Sequence, residues 1–390
     1  MKNQIIKADT PYTLDEVRYQ KERLDVLNNH FLKMIEKKEL VSGSYCISRD
    51  NKIFADVAMG KLSFKEEDER AFEPNSIFQI ASVTKLFTAV AILKLFEDGK
   101  LRLDQSVGDF IEEMNTPPYN KIHVAHLLTH TSGLVEDQGA HEDKYYVPWW
   151  SLIDEDEPIK WIEAVLKKGM PNEIGREWAY SSVGYLLLGE VIARVSGESS
   201  SDYIQKYIID PCEMTDTCFG RRYELIDRYN SPTERVRKDI ERLRSEKICE
   251  QNKWDIIPKT GGGIFSTSRD LVKFGTMLLN DGMYNGKRII GRKALETMRK
   301  VHTHPEVKSY CWGDTGVPHP YGLGPEIMQE GCLSQLVTPG TIYHEGFGTC
   351  CLMVDYEEKV VAAWASQFYE GDWYAHALRN VANIIWSGIE

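Results

Sequence analysis

The run Ser82-Val83-Thr84-Lys85, with the apolar stretch Leu86-Phe87-Thr88-Ala89-Val90-Ala91-Ile92-Leu93-Lys94-Leu95-Phe96 behind it, decides how this chain is read. If that stretch is a helix, residues three apart share one face. The Ser82 hydroxyl and the Lys85 amine then meet at its N-terminus. An alcohol is a weak nucleophile at neutral pH and needs a neighbouring base. A lysine held in a dry pocket loses its proton readily and can be that base. The open backbone N–H groups of a helix N-terminus can stabilise an oxyanion.

The residues that follow, Glu97-Asp98-Gly99-Lys100-Leu101-Arg102-Leu103-Asp104, turn a common four-residue pattern into a specific one. A helix ending in an acidic-Gly-Lys-Leu-x-Leu-Asp turn resembles the serine β-lactamase and penicillin-binding protein superfamily. Further along, Tyr180-Ser181-Ser182 precedes Val183-Gly184-Tyr185-Leu186-Leu187-Leu188-Gly189. This is similar to the superfamily's Tyr-x-Asn segment and the helix after it. Near the C-terminus, His344-Glu345-Gly346 resembles the Lys-Thr-Gly strand in its His-x-Gly form, found among D-peptidases and esterases of the class C β-lactamase-like group.

The resemblance runs from about Val41 to Ile385 and implies a site. Ser82 is the nucleophile, and Tyr180 faces Ser82 and Lys85. A phenol beside an ammonium is favoured as phenolate, so its pKa is expected to fall. Either Lys85 or Tyr180 is then the base, or the two titrate as one unit. His344 closes the site opposite Tyr180 and tunes its charge. The N–H groups of Ser82 and Phe347 form the oxyanion hole. Gly346 lets the substrate backbone approach, and Ser182 and Glu345 line the substrate. Ser182 departs from the family's Asn, which contacts the substrate's amide carbonyl and helps order the lysine; a hydroxyl reaches less far.

Two other patterns are read as scaffold. Lys259-Thr260-Gly261 spells the Lys-Thr-Gly motif but opens Gly262-Gly263-Ile264-Phe265-Ser266-Thr267-Ser268-Arg269-Asp270, which looks like the family's structural turn, with Ser268 or Asp270 starting a helix. His123, His126 and His130, with His141 beyond, have helical metal-ligand spacing. Yet His126-Leu127-Leu128-Thr129-His130-Thr131-Ser132-Gly133-Leu134 looks like a family scaffold turn, so no metal is expected. The aromatic group Tyr145, Tyr146, Trp149 and Trp150 either lines an apolar substrate pocket or buries a seam.

The 390 residues, 42% of them hydrophobic, suffice for a large core. A net charge of −12 with no basic stripe opposes nucleic-acid binding. Neither a signal-peptide core nor a membrane span is found, so the chain is expected to be cytoplasmic and free of membrane. Its eight scattered cysteines, with no CxxC pair, predict free thiols.

Helical periodicity covers 13–37, an alternating hairpin covers 43–60 with its turn at Asp50-Asn51, and paired strands are predicted at 341–353 and 359–366. Helices are predicted over 269–280, 292–300 and 373–387. An α/β (α+β) fold follows, with a mainly antiparallel sheet flanked by helices. Residues 1–85 and 260–390 are expected to carry the sheet, 86–259 a mostly helical insert, with the site between them. The resemblance implies a cofactor-free serine hydrolase that forms an acyl-enzyme on a small ester, amide or peptide, with weak β-lactam turnover. An acyltransferase and a non-catalytic ligand-binding or scaffold protein are the alternatives.

Overall fold

The computed structural model describes residues 4–134, 137, 160–249, 256–311, 314, 316–330, 335–347, 350–368 and 374–390. Its frame is one seven-stranded sheet. The strands are β1 (Ile5–Lys7), β2 (Leu40–Arg49), β3 (Lys52–Gly60), β4 (Glu326–Ile327), β5 (Ile342–Gly346), β6 (Cys350–Asp355) and β7 (Val360–Phe368). They lie in the order β1-β3-β2-β7-β6-β5-β4. Every neighbouring pair is antiparallel. Strands from both ends of the chain therefore share one sheet.

The β2–β3 hairpin turns on Asp50 (φ 50°) and Asn51 (φ 64°). Asn and Asp tolerate this left-handed backbone, which matches the twist of the flanking strands. The single strand expected over 341–353 is instead the two antiparallel strands β5 and β6. The apolar and polar runs on either side of Gly346 belong to two passes across the sheet.

Alternation sends successive side chains to opposite faces. Tyr45, Ile47, Met353 and Trp364 enter one core with the helices α1 (Lys21–Glu36) and α6 (Val381–Trp386). Cys46, Leu352, Val361 and Ala363 enter the other, with α2 (Thr84–Glu97), α4 (Ser182–Ser196) and α5 (Ser268–Leu279). The second core is continuous from the sheet through α5 to α2 and α4. Helix α2 is buried almost all round, which accounts for its unbroken apolar sequence.

The helix expected over 13–37 is broken. A 3-10 turn, Asp15–Val17, ends at Arg18 with φ 49°, and α1 starts only at Lys21. Tyr19 between them pairs with Ile389 and donates to the Ile385 carbonyl at 2.9 Å, so a tertiary tie overrides the local period. The described part of 105–255 holds α3 (Val124–Leu128) and α4, further short helices and 3-10 turns, and the two-residue strands Glu177–Trp178 and Cys218–Phe219. The C-terminal helix begins as a π-helical segment, Tyr374–Asn380, before α6. Among the described residues, Cys46, Cys212, Cys218, Cys249, Cys311, Cys350 and Cys351 are free thiols, and no helix is long and apolar enough to cross a membrane.

Candidate active site

Ser82 stands in a 3-10 turn, Ala81–Val83, that feeds α2. Ala81 has φ 43°, a left-handed conformation that costs energy for a residue with a side chain. The surroundings hold it. The Ile80 N–H donates to the Ile264 carbonyl at 3.0 Å, and the Ile264 N–H donates to Thr84 Oγ1 at 3.2 Å.

Lys85 lies one turn on and is fully buried. Its Nζ has three partners: Ser82 Oγ at 3.1 Å, Ser182 Oγ at 3.3 Å and the Gly261 carbonyl at 2.8 Å. Burial lowers the Lys85 pKa to about 8, against the opposing pull of Asp137 and Glu345. The partners also fix where a lone pair would point. A carbonyl can only accept. Ser182 Oγ spends its own proton on Asp137 Oδ2, at 2.6 Å, so towards Lys85 it accepts. Of the three, Ser82 alone is left to donate to a neutral Lys85.

Asp137 is the residue that sequence reasoning missed. It grips Ser182 twice, accepting from the hydroxyl and, at 2.9 Å through Oδ1, from the backbone N–H at the start of α4. A carboxylate on a serine thus stands behind the lysine, in the region where the sequence offered only a shortened Asn. Asp137 stands in a polar stretch of sequence with no periodic signal, so nothing in the sequence marked it.

Tyr180 is hydrogen-bonded to the Ser82 side chain, and Lys85 Nζ lies 4.8 Å from its ring centroid. The expected fall in its pKa does not occur. Burial, reinforced by the Asp137 carboxylate, pushes the phenol well above its ordinary value, despite the Ser82 hydrogen bond. The phenol stays protonated because its own desolvation is the largest effect on it. His130 buttresses the tyrosine. Their rings stack at 4.4 Å, and His130 Nδ1 accepts the Ser181 N–H at 3.0 Å.

Strand β5 forms the opposite wall. His344 is buried, with its ring 6.2 Å from that of Tyr180. Burial, then the nearby Lys85, lowers its pKa to about 3. It is a neutral imidazole, so it brings no positive charge to Tyr180. Glu345 is half-buried, and burial with the neighbouring Glu326 pushes its carboxyl up. A Cβ on Gly346 would sit 2.3 Å from the Ile80 carbonyl. Glycine is needed there so that β5 can press against the Ser82 turn, which is a different reason from substrate access. Phe347, next in the chain, is 79% exposed. Trp149 and Trp150, with Tyr145, Tyr146 and His141, lie outside the described residues.

A beta-lactamase family model matches residues 27–382. The chain belongs to the beta-lactamase family. Its similarity to Penicillin-binding protein 4* of Bacillus subtilis (strain 168) is 34% identity over 171 residues, 42% of this chain and 35% of that protein. The chain thus spans about a third of that relative's length. Two solved structures share the fold. A family VIII carboxylesterase superposes with a TM-score of 0.72 at 18% identity, covering 99% of this chain and all 100% of that one. EstCE1, described as a hydrolase with promiscuous acyltransferase activity, gives 0.73 at 17% identity, with 94% and 99% covered.

In this beta-lactamase family member the Lys-Thr-Gly spelling at 259–261 is scaffold with a purpose. Gly261 contributes its carbonyl to Lys85, and Thr260 ties the segment to α4 through the Tyr185 carbonyl at 2.7 Å. The helix behind it is capped by Thr267, which accepts from the Asp270 N–H, rather than by Ser268 or Asp270. The histidines do not share one helical face. α3 ends at Leu128, His126 Nδ1 caps the same helix by accepting the His123 N–H at 3.0 Å, and His130 turns away with φ 55°. Among the described residues no group of His, Cys, Asp and Glu is arranged to hold a metal ion.

Proposed function

We propose that this chain is a serine hydrolase that cleaves small esters or amides through an acyl-enzyme on Ser82. The observation that carries the reading is the hydrogen-bond accounting at Lys85: its one possible donor is Ser82. Neutral Lys85 takes the Ser82 proton as Oγ bonds to the substrate's carbonyl carbon. The backbone N–H groups of Ser82 and Phe347 are assigned to the oxyanion. Tyr180, protonated and bonded to Ser82, hands a proton to the leaving oxygen or nitrogen as its bond to carbon breaks, and Lys85 restores the tyrosine. Water then adds to the acyl carbon, its proton passes through the same pair to Ser82 Oγ, and the bond from Oγ to that carbon breaks to release the acid.

Lys85 is the base and Tyr180 the acid in this scheme. Holding His344 neutral keeps a competing positive charge away from the lysine. Ester cleavage is favoured over β-lactam cleavage because Ser182 is engaged by Asp137 and offers no amide side chain to a lactam carbonyl. Transfer of the acyl group to an alcohol or amine instead of water is the second reading, and the fold it shares with EstCE1 makes it worth testing.

The test is hydrolysis of p-nitrophenyl butyrate by wild type and Ser82→Ala. Sustained turnover that disappears in the variant is expected. Equal rates in both would remove Ser82 as nucleophile. Added alcohol that raises nitrophenol release and diverts the acyl group into a new ester would favour transfer.

A further inference from the structure

Tyr180 lies between the short strand Glu177–Trp178 and the start of α4 at Ser182, so no helix or sheet ladder fixes it. One residue from far back in the chain grips this link at three successive positions. The His130 carbonyl accepts the Ala179 N–H at 2.9 Å, the His130 ring stacks on that of Tyr180 at 4.4 Å, and His130 Nδ1 accepts the Ser181 N–H at 3.0 Å.

The grip is held at a cost. His130 has φ 55°, a left-handed backbone that a residue with a side chain rarely adopts. An accepting Nδ1 leaves the proton of the neutral ring on Nε2. That atom is buried and has no hydrogen-bond partner. Burial pushes the pKa of the ring well below its ordinary value, so it stays neutral. A strained backbone and an unpaired buried N–H persist only where the surroundings over-determine them. Here an aromatic box does so. Trp178 and Tyr321 meet the His130 ring edge to face at 5.8 and 5.3 Å, and Tyr185 tilts against it at 5.2 Å. A phenylalanine would fill that box without burying an N–H. What the imidazole adds is the acceptor for Ser181.

We propose that His130 is a positioning residue for proton donation by Tyr180: it clamps the backbone on both sides of the tyrosine and the face of its ring, and so aims the phenol at the leaving group. The role rests on Tyr180 acting as the acid of the reaction above. The proton moves from Tyr180 Oη to the leaving oxygen as the bond from that oxygen to the acyl carbon breaks, and His130 keeps its own.

The test is kcat/KM, which reports the steps through acylation, for p-nitrophenyl, p-chlorophenyl and phenyl butyrate. Their leaving groups grow more basic in that order, and the more basic group depends more on the donated proton. His130→Asn keeps an oxygen where Nδ1 stands and tolerates the left-handed backbone, but removes the stacked ring. His130→Phe keeps a ring and removes the acceptor. In both, the p-nitrophenyl-to-phenyl ratio of kcat/KM should rise about tenfold over wild type, a part of the 10²–10⁴ that a positioned proton donor supplies. Each ratio comes from one preparation, so it does not depend on how much of a variant folds. A ratio left at the wild-type value, with all three esters slowed equally, means that His130 only supports the fold and overturns the inference. Tyr180→Phe is the control and should raise the ratio at least as far; if it does not, the acid assignment itself fails. Adding His130→Asn to Tyr180→Phe should raise the ratio no further, because no proton is left to aim, and a further rise overturns the inference.

Discussion

Replacing Asp137 by Asn should make the enzyme work at lower pH. In the wild type the Lys85 pKa is about 8, and Asp137 is among the groups holding it up against burial. In the proposed reaction neutral Lys85 is the base, so kcat/KM should rise with pH and level off above about 8. The hydrogen bonds of 3.3 and 2.6 Å that run from Lys85 through Ser182 to Asp137 put the two charges within about 6 Å. At an effective dielectric of 20 to 40 that pair is worth about 1.4–2.8 kcal/mol, or about one to two pH units.

Asp137→Asn removes this attraction, so Lys85 loses its proton more easily and the acid limb should move to about pH 6–7. The plateau should also drop severalfold. Asn has one acceptor where Asp has two, and both the N–H and the hydroxyl of Ser182 need one. The assay is kcat/KM for a neutral p-nitrophenyl ester across the pH range, at fixed ionic strength. A limb that stays near pH 8, or moves upward, would refute the claim that Asp137 sets the charge of Lys85. The same shift has a stability sign. The folded protein holds fewer protons than the unfolded chain between the two Lys85 values, so stability from this group increases as pH rises through about 8 towards 10.5.

Tyr180→Phe should cost roughly 10²–10⁴ in kcat, the usual worth of a positioned proton donor, and leave the acid limb in place because the phenol does not titrate there; a limb displaced along with the rate would restore the phenolate as base. Gly346→Ala should destabilise the fold by about 1–3 kcal/mol in urea denaturation and reduce ester turnover, since its methyl would press on the Ile80 carbonyl behind Ser82; unchanged stability would mean that β5 and the Ser82 turn yield to one another at little cost.

Which parts of this were legible in the sequence follows from what a sequence can encode. Ser82, Lys85 and Tyr180 stand at fixed spacing from apolar helices, so the pattern singled them out, and the fold brings the three side chains together. The β2–β3 hairpin was legible because Asp50-Asn51 can take the backbone its turn requires. Three things were not. The Gly261 carbonyl binds Lys85 through the backbone, which leaves no trace in residue identity. Asp137 meets Ser182 from 45 residues away in sequence, a pairing that no local pattern encodes. The protonation of Tyr180 was read with the wrong sign because the depth of its burial, which outweighs its neighbour, cannot be counted from a list of residues. Gly346 shows a milder form of this: glycine was seen to matter, and the partner that makes it matter is Ile80.

The central claim, a covalent acyl group on Ser82, is tested most directly by mass. Wild type quenched in acid during turnover of p-nitrophenyl butyrate should gain the mass of one butyryl group, and peptide mapping should find it on Ser82. No adduct in wild type or in a slow-deacylating Tyr180→Phe background, or an adduct on any other residue while turnover proceeds, would contradict the account.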